Sequence, residues 1–209
     1  ADVTGVGTAR NGLAAVEYGG DKAIFGYGGV AISNLVSNSG VVATDTSIAG
    51  TARQYLKACR YGGNAGTGIF AYGYDGSSAL SMSNLLSNTG VIASDVSGVG
   101  TARWDLAAAE FGGDKGIFGY GDTGSTSSLT NLVSNVGIIA ADVSGVGTAR
   151  KVLAASSYGG DKGVFAYGDT GSSSSLKNLV SNTGVVAADV TGVGTARQHL
   201  SAAGYSISA

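Results

Sequence analysis

The 209-residue chain contains no proline, one cysteine, one histidine and only 12% charged residues, and each scarcity removes a class of function. A single thiol, Cys59, excludes an internal disulfide and a cysteine-rich zinc site. Ala15 or Val16, Ala108 or Ala109, and Ala155 or Ser156 stand at comparable places elsewhere, so Cys59 is expected to be a small buried side chain. With His199 the sole histidine, a multi-histidine metal centre or a Ser/His/Asp triad has too few parts. His199 is expected at the surface, and no metal or cofactor is expected. Twelve basic against 14 acidic residues give a net charge of -2. That leaves no basic footprint for nucleic acid and no polybasic segment for an anionic membrane. No apolar run approaches the roughly 18 residues that span a bilayer, so membrane insertion is not expected. No positively charged leader precedes Ala1, and the lack of an initial Met leaves room for one already removed.

What is abundant is glycine, 37 residues, together with 44% hydrophobic residues. The glycines follow no Gly-X-Y period, which points to turns and close backbone contacts in a packed β protein. Arg10, Arg53, Arg103, Arg150 and Arg197 each close the tetrapeptide Gly-Thr-Ala-Arg, at steps of 43, 50, 47 and 47 residues. A period of that length marks a propeller, solenoid or array. The chain is therefore expected to be one repeat domain over residues 1–209, with units at 10–52, 53–102, 103–149 and 150–196 and remnants at 1–9 and 197–209.

The third unit shows the pattern. Trp104 to Phe111 and Gly116 to Tyr120 flank Gly112-Gly113, which predicts a hairpin. After a polar stretch, Gly121 to Ser128, the runs Leu129–Ser134 and Ile138–Val143 flank Asn135-Val136-Gly137 and predict a second one. Leu106 to Ala109 has helical propensity, but the run ends at a double glycine after about seven residues, too short for a helix. Four short strands per unit follow. The first is rich in small residues, as at Leu13-Ala14-Ala15 and Leu153-Ala154-Ala155, and suits the crowded axis of a propeller. The Ile24-Phe25, Ile69-Phe70, Ile117-Phe118 and Val164-Phe165 pairs are expected to fill the gaps between neighbouring units.

Arg, an apolar strand, a strand ending Ile-Phe-Gly-Tyr-Gly, two more strands and a loop to the next Arg together resemble a kelch repeat over nearly the whole chain. The resemblance departs from the family pattern at Tyr27, Tyr72, Tyr120 and Tyr167, which split its paired glycine. It departs again at Val42, Ile92, Ile139 and Val186, which stand where a Trp is usual. It implies an all-β propeller of about four four-stranded blades with ends overlapping at closure. Among kelch-like repeats, the chain looks most like those of phage tail and virion proteins, which implies an extracellular or virion-associated location.

Polar residues recur with the unit. Asp2, Asp45, Asp95, Asp142 and Asp189 each stand eight residues before a repeat Arg, which suggests a structural Asp/Arg pair or two loop-bracing positions. Asn34, Asn84, Asn131 and Asn178 are expected to satisfy backbone groups at a strand edge, and Asn38, Asn88, Asn135 and Asn182 to form turns. Asp122-Thr123-Gly124-Ser125 and Asp169-Thr170-Gly171-Ser172 match the aspartic-protease signature. They fall on consecutive units, however, where two carboxylates would not share a proton. The Gly-Val-Gly copies lack the helix and Lys-Ser/Thr pair of a phosphate loop. A non-enzymatic structural or adhesive scaffold is thus expected, docking other structural proteins, with a homo-oligomer through terminal strands as one outcome of closure. The alternative is a propeller binding surface glycans or small ligands through Tyr72, Asp75, Tyr120, Asp122, Thr123, Tyr167, Asp169 and Thr170, which combine aromatic platforms with polar acceptors.

Overall fold

The structure is a computed structural model that describes residues 4–204; Asp2 lies outside them. The chain is all-β apart from one 3-10 turn at Gly63–Ala65, and its strands form four small antiparallel sheets. The first sheet holds β1 (Ala14–Tyr18), β2 (Lys22–Gly26), β3 (Ile32–Val36) and the two-residue β4 (Thr46–Ser47). The second holds β5 (Lys57–Tyr61), β6 (Thr67–Ala71) and β7 (Ser83–Leu86). The third holds β8 (Ala107–Phe111), β9 (Lys115–Asp122) and β10 (Thr126–Val133), and the fourth β11 (Ala154–Tyr158), β12 (Lys162–Ala166) and β13 (Lys177–Val180). Each sheet coincides with one sequence unit. The predicted Gly-Gly hairpins pair as Tyr18 with Lys22, Phe111 with Lys115 and Tyr158 with Lys162. Gly19 and Gly20, at φ 62° and 86°, supply the left-handed backbone that such a reversal needs.

The expected four-stranded unit holds for the first sheet, whereas in the other three the fourth strand is a correction. It survives as two isolated bridges, Val133 to Ile139 and Thr130 to Val143 in the third unit. Three steps along β10 are matched by four on the returning chain, so one residue bulges and the ladder breaks. The same count recurs between Leu86/Ile92 and Ser83/Val96, and between Val180/Val186 and Lys177/Val190. A second correction concerns Gly121 to Ser128, expected as a loop. In the third unit β9 and β10 run through most of it around an exposed turn at residues 123–125, with a register shift between Ser127 and Thr130.

The cores lie between the units. Ile24 and Tyr27 of the first unit pack with Leu56, Phe70 and Ile92 of the second. Ile69 and Tyr72 pack with Leu106, Phe118 and Ile139 of the third, and Ile117 and Tyr120 with Leu153, Phe165 and Val186 of the fourth. The Ile and Phe positions therefore serve opposite faces, because neighbouring side chains on a strand point to opposite sides. β1 packs beside β5, β5 beside β8 and β8 beside β11. Small residues of these first strands, Ala15, Ala58 and Ala108 among them, line cavities shared by all four sheets. Leu200, Ser201 and Ala202 enter one of these with Leu13 and Phe25, so the two ends of the described chain approach each other. Residues 197–204 nevertheless join no sheet, although Arg197 makes one isolated bridge to Ser174.

Candidate functional site

The repeated polar residues converge in one network per unit. Arg103 is wholly buried and donates from Nη1 to the Thr101 carbonyl at 3.1 Å and from Nη2 to Asn131 Oδ1 at 2.5 Å. Asn131 Nδ2 in turn donates to the Ala140 carbonyl, in the bulge of the fourth strand, and to Asp142 Oδ1. Asp142 also accepts from the Thr101 backbone and hydroxyl at 2.9 and 2.7 Å and stands 3.7 Å from Arg103. Arg53/Asn84/Asp95 and Arg150/Asn178/Asp189 repeat the arrangement, and Arg10 bonds Asn34 beside Asp45. The Asp partner of Arg10, Arg53, Arg103 and Arg150 is thus the one 35 to 42 residues later, at the end of the same unit, and for Arg53, Arg103 and Arg150 not the one eight residues before. Arg197 departs from the set: it is exposed, and among the described residues its guanidinium bonds only Tyr167 Oη, at 3.0 Å.

Each Arg also covers a tyrosine of the preceding unit. Arg53, Arg103, Arg150 and Arg197 lie 4.1 to 4.7 Å above the rings of Tyr27, Tyr72, Tyr120 and Tyr167. Edge-on contacts with the next unit's Phe complete three of these stacks. All four tyrosines take φ of 63° to 66°, a strained choice for a bulky residue, and the glycine after each is also at positive φ. For Tyr27, Tyr72 and Tyr120, burial of the ring between Arg and Phe offsets the backbone strain.

The candidate ligand residues divide accordingly. Tyr72 and Tyr120 have no exposed surface, so neither offers a free ring face, and Tyr167 is half-buried. The Tyr72 and Tyr120 hydroxyls donate to the Val99 and Val146 carbonyls, which also accounts for the Gly-Val-Gly segments. Burial pushes the Tyr72 phenol up to about 12, against the pull of Arg103. Asp75 Oδ1 accepts from the Ser77 and Ser78 amides, and Asp169 Oδ1 from Gly171. Asp122 closes the same kind of turn onto Gly124 and is nearly buried, with Lys151 2.6 Å away. Thr123 and Thr170 bond the carbonyls of Ser125 and Ser172. The two protease-like aspartates therefore spend their oxygens in separate turns.

Residues that do not repeat supply the remaining polar surface, and the repeat itself concealed them. Glu17, Arg60, Glu110 and Ser157 occupy one position of the four first strands and line a cavity of about 510 Å³. Arg60 pairs with Glu17 at 2.9 Å and Glu110 at 3.5 Å. Burial pushes the Glu110 carboxyl above its usual range, Arg60 pulling it back and Glu17 adding to the rise. Cys59 lines the same cavity, but burial drives its thiol pKa far up, so it is no nucleophile. At the loop end, Tyr74 and Trp104 pack with ring centroids 5.2 Å apart, one unit across from Lys151 and Asp122. Aligning the units and asking what differs would have found both sets. Among the described residues no group of three or more His, Cys, Asp or Glu could hold a metal ion, and no helix is long and apolar enough to cross a membrane. No protein-family model matches the chain, and no curated protein matches it at a significant level.

Proposed function

We propose that the chain is a non-enzymatic β-propeller of kelch-like blades that serves as a rigid structural or adhesive scaffold, of the kind built into virions and phage tails. One observation carries this reading. The polar residues that recur in every unit, Thr, Arg, Asn and Asp, bond chiefly to one another and to the backbone. What the repetition preserves is therefore mechanical. The turns at residues 75–78, 123–125 and 170–172 are exposed and take no part in the Thr/Arg/Asn/Asp networks, which leaves them open to docking. Replacing these turns with Gly/Ser segments of equal length should leave the circular-dichroism spectrum and Tm unchanged while abolishing co-assembly with phage structural proteins. Co-assembly that survives the replacement would sink the assignment of the docking face.

The glycan-binding alternative has one observation in its favour, the half-buried Tyr74–Trp104 pair beside the Asp75 turn, since sugars stack on aromatic faces next to hydrogen-bonding groups. Binding on a glycan array that is lost in Trp104→Ala would support that alternative over the scaffold.

A further inference from the structure

The three internal interfaces are copies of one another, and each has the same two sides. The leading side presents Ile, Tyr and Leu, as Ile69, Tyr72 and Leu85 do, and the trailing side presents Phe and two aliphatic residues, as Phe118, Val133 and Ile139 do. Among the described residues, both kinds of side also occur without a partner. On the first unit, Phe25 is 37% exposed, whereas Phe70, Phe118 and Phe165 are fully buried. On the fourth unit Leu179 is 39% exposed, and Val164 and Tyr167 are only half-buried. Between these two faces run residues 200–204, whose Leu-Ser-Ala-Ala sequence is that of a first strand but which join no sheet. Their place in the array is nevertheless a unit's: His199 donates its amide to the Val152 carbonyl as Val152 does to Asp105, Asp105 to Tyr55 and Tyr55 to Gly12.

We infer that the space between the fourth and first units is a docking site for a β-hairpin of this same repeat, supplied by another polypeptide and equivalent to residues 115–143. The complementarity is specific. Phe118 of such a segment would meet Tyr167 as Phe165 meets Tyr120, and its Tyr120 would cover Phe25. Its Asn131 and Asp142 would give exposed Arg197 the partners that Arg103 has. Its first strand, the counterpart of β9, would pair with the open edge of residues 200–204 as β9 pairs with β8, and unpaired edges of this kind invite strand addition. This surface is separate from the loop face proposed above, so either can fail without the other.

The test adds a synthetic peptide of residues 112–143 to the full chain and follows binding by calorimetry and fluorescence anisotropy. Saturable one-to-one binding is expected, weakened about tenfold or more by Phe25→Ser in the chain or by Asn131→Ala in the peptide. Because a free peptide can aggregate, a second arm fuses the same segment behind Ala209 through a flexible linker, where effective concentration favours docking. A rise in Tm of about 3 °C or more, abolished by Phe25→Ser, is expected there. No binding in the first arm together with an unchanged Tm in the second overturns the inference. A concentration-dependent dimer that excludes the peptide also overturns it, and assigns the surface to a second copy of the chain.

Discussion

The guanidinium of Arg103 lies over the ring of Tyr72, 4.2 Å from its centroid, and so joins two units whose sheets share no ladder. The same guanidinium is anchored through Thr101, two residues before it, and through Asn131 of its own unit, so one side chain bridges neighbours and braces its own strands. Arg103→Ala should lower stability by about 2 to 4 kcal/mol, since it removes a desolvated cation–π contact and strands buried acceptors. Arg197, exposed over Tyr167, is the internal control; Arg197→Ala should stay within about 0.5 kcal/mol. Equal denaturation midpoints for the two variants would refute the role assigned to the buried arginine.

The tyrosines can be tested by alkaline titration. Burial raises the phenols of Tyr27, Tyr72 and Tyr120 above their ordinary 10.0, that of Tyr72 to about 12. A folded value above the unfolded one means that the neutral phenol stabilises the fold. The contribution is complete below pH 10 and is lost as pH rises towards 12. Tyrosinate absorbance should therefore rise first from the exposed rings and then in a cooperative step coincident with loss of the β-sheet spectrum. Tyr120→Phe, which loses a 3.1 Å hydrogen bond to Val146, should cost about 1 kcal/mol. Tyr27→Phe should cost nothing measurable, because among the described residues the buried Tyr27 hydroxyl has no partner.

At the acid end the sign is reversed. Burial opposes ionisation of Asp95, Asp142 and Asp189, but hydrogen bonds from Thr51, Thr101 and Thr148 and from Asn84, Asn131 and Asn178 outweigh it, leaving each carboxyl below its usual 3.8. Their contribution is present above pH 3.8 and lost as pH falls below it. Asp105 and Glu110, raised chiefly by burial, run the other way and soften the loss. Denaturation midpoints measured from pH 6 to pH 2 should fall steeply below about pH 4. In Asp142→Asn the curve should start lower and be flatter, whereas an unaltered slope would remove Asp142 from the network's titration.

Gly121 and Gly124 share a similar φ, 108° and 102°, but differ in surroundings. A Cβ on Gly121 would stand 2.7 Å from the Trp104 carbonyl oxygen, and one on Gly124 would meet nothing within 4 Å. Gly124→Ala therefore isolates the backbone strain, about 1 to 3 kcal/mol. Gly121→Ala adds a clash between rigid parts and should be the more damaging by at least about 1 kcal/mol. Urea denaturation of both variants compares the two terms.

The Gly-Gly hairpins and their short strands were legible because Gly-Gly turns are local signals. The fourth strand was not, since its broken ladder depends on Asn131 reaching nine residues on to Ala140, a side-chain substitution that strand propensity does not encode. Periodicity also hid phase. Asp142 lies eight residues before Arg150, yet it belongs to Arg103, and a repeating sequence fits either pairing equally well. The tyrosines look like open platforms in sequence because their covers, Arg103 over Tyr72 and Arg150 over Tyr120, come from about 30 residues away on the next unit. Glu17, Arg60 and Glu110 escaped notice for the opposite reason: attention to what recurs passes over what varies.

Placing the apolar contacts between units also frees the lineage from any fixed number of them. Excising residues 54–103 would bring Tyr27 against Phe118 and Leu106, the residue types it already meets in Phe70 and Leu56. A duplication would likewise add one more junction of a kind the protein already makes. Unequal recombination within such a gene can therefore lengthen or shorten the product without inventing a new contact, and selection is left to act on curvature and on the few positions where one copy differs from the next.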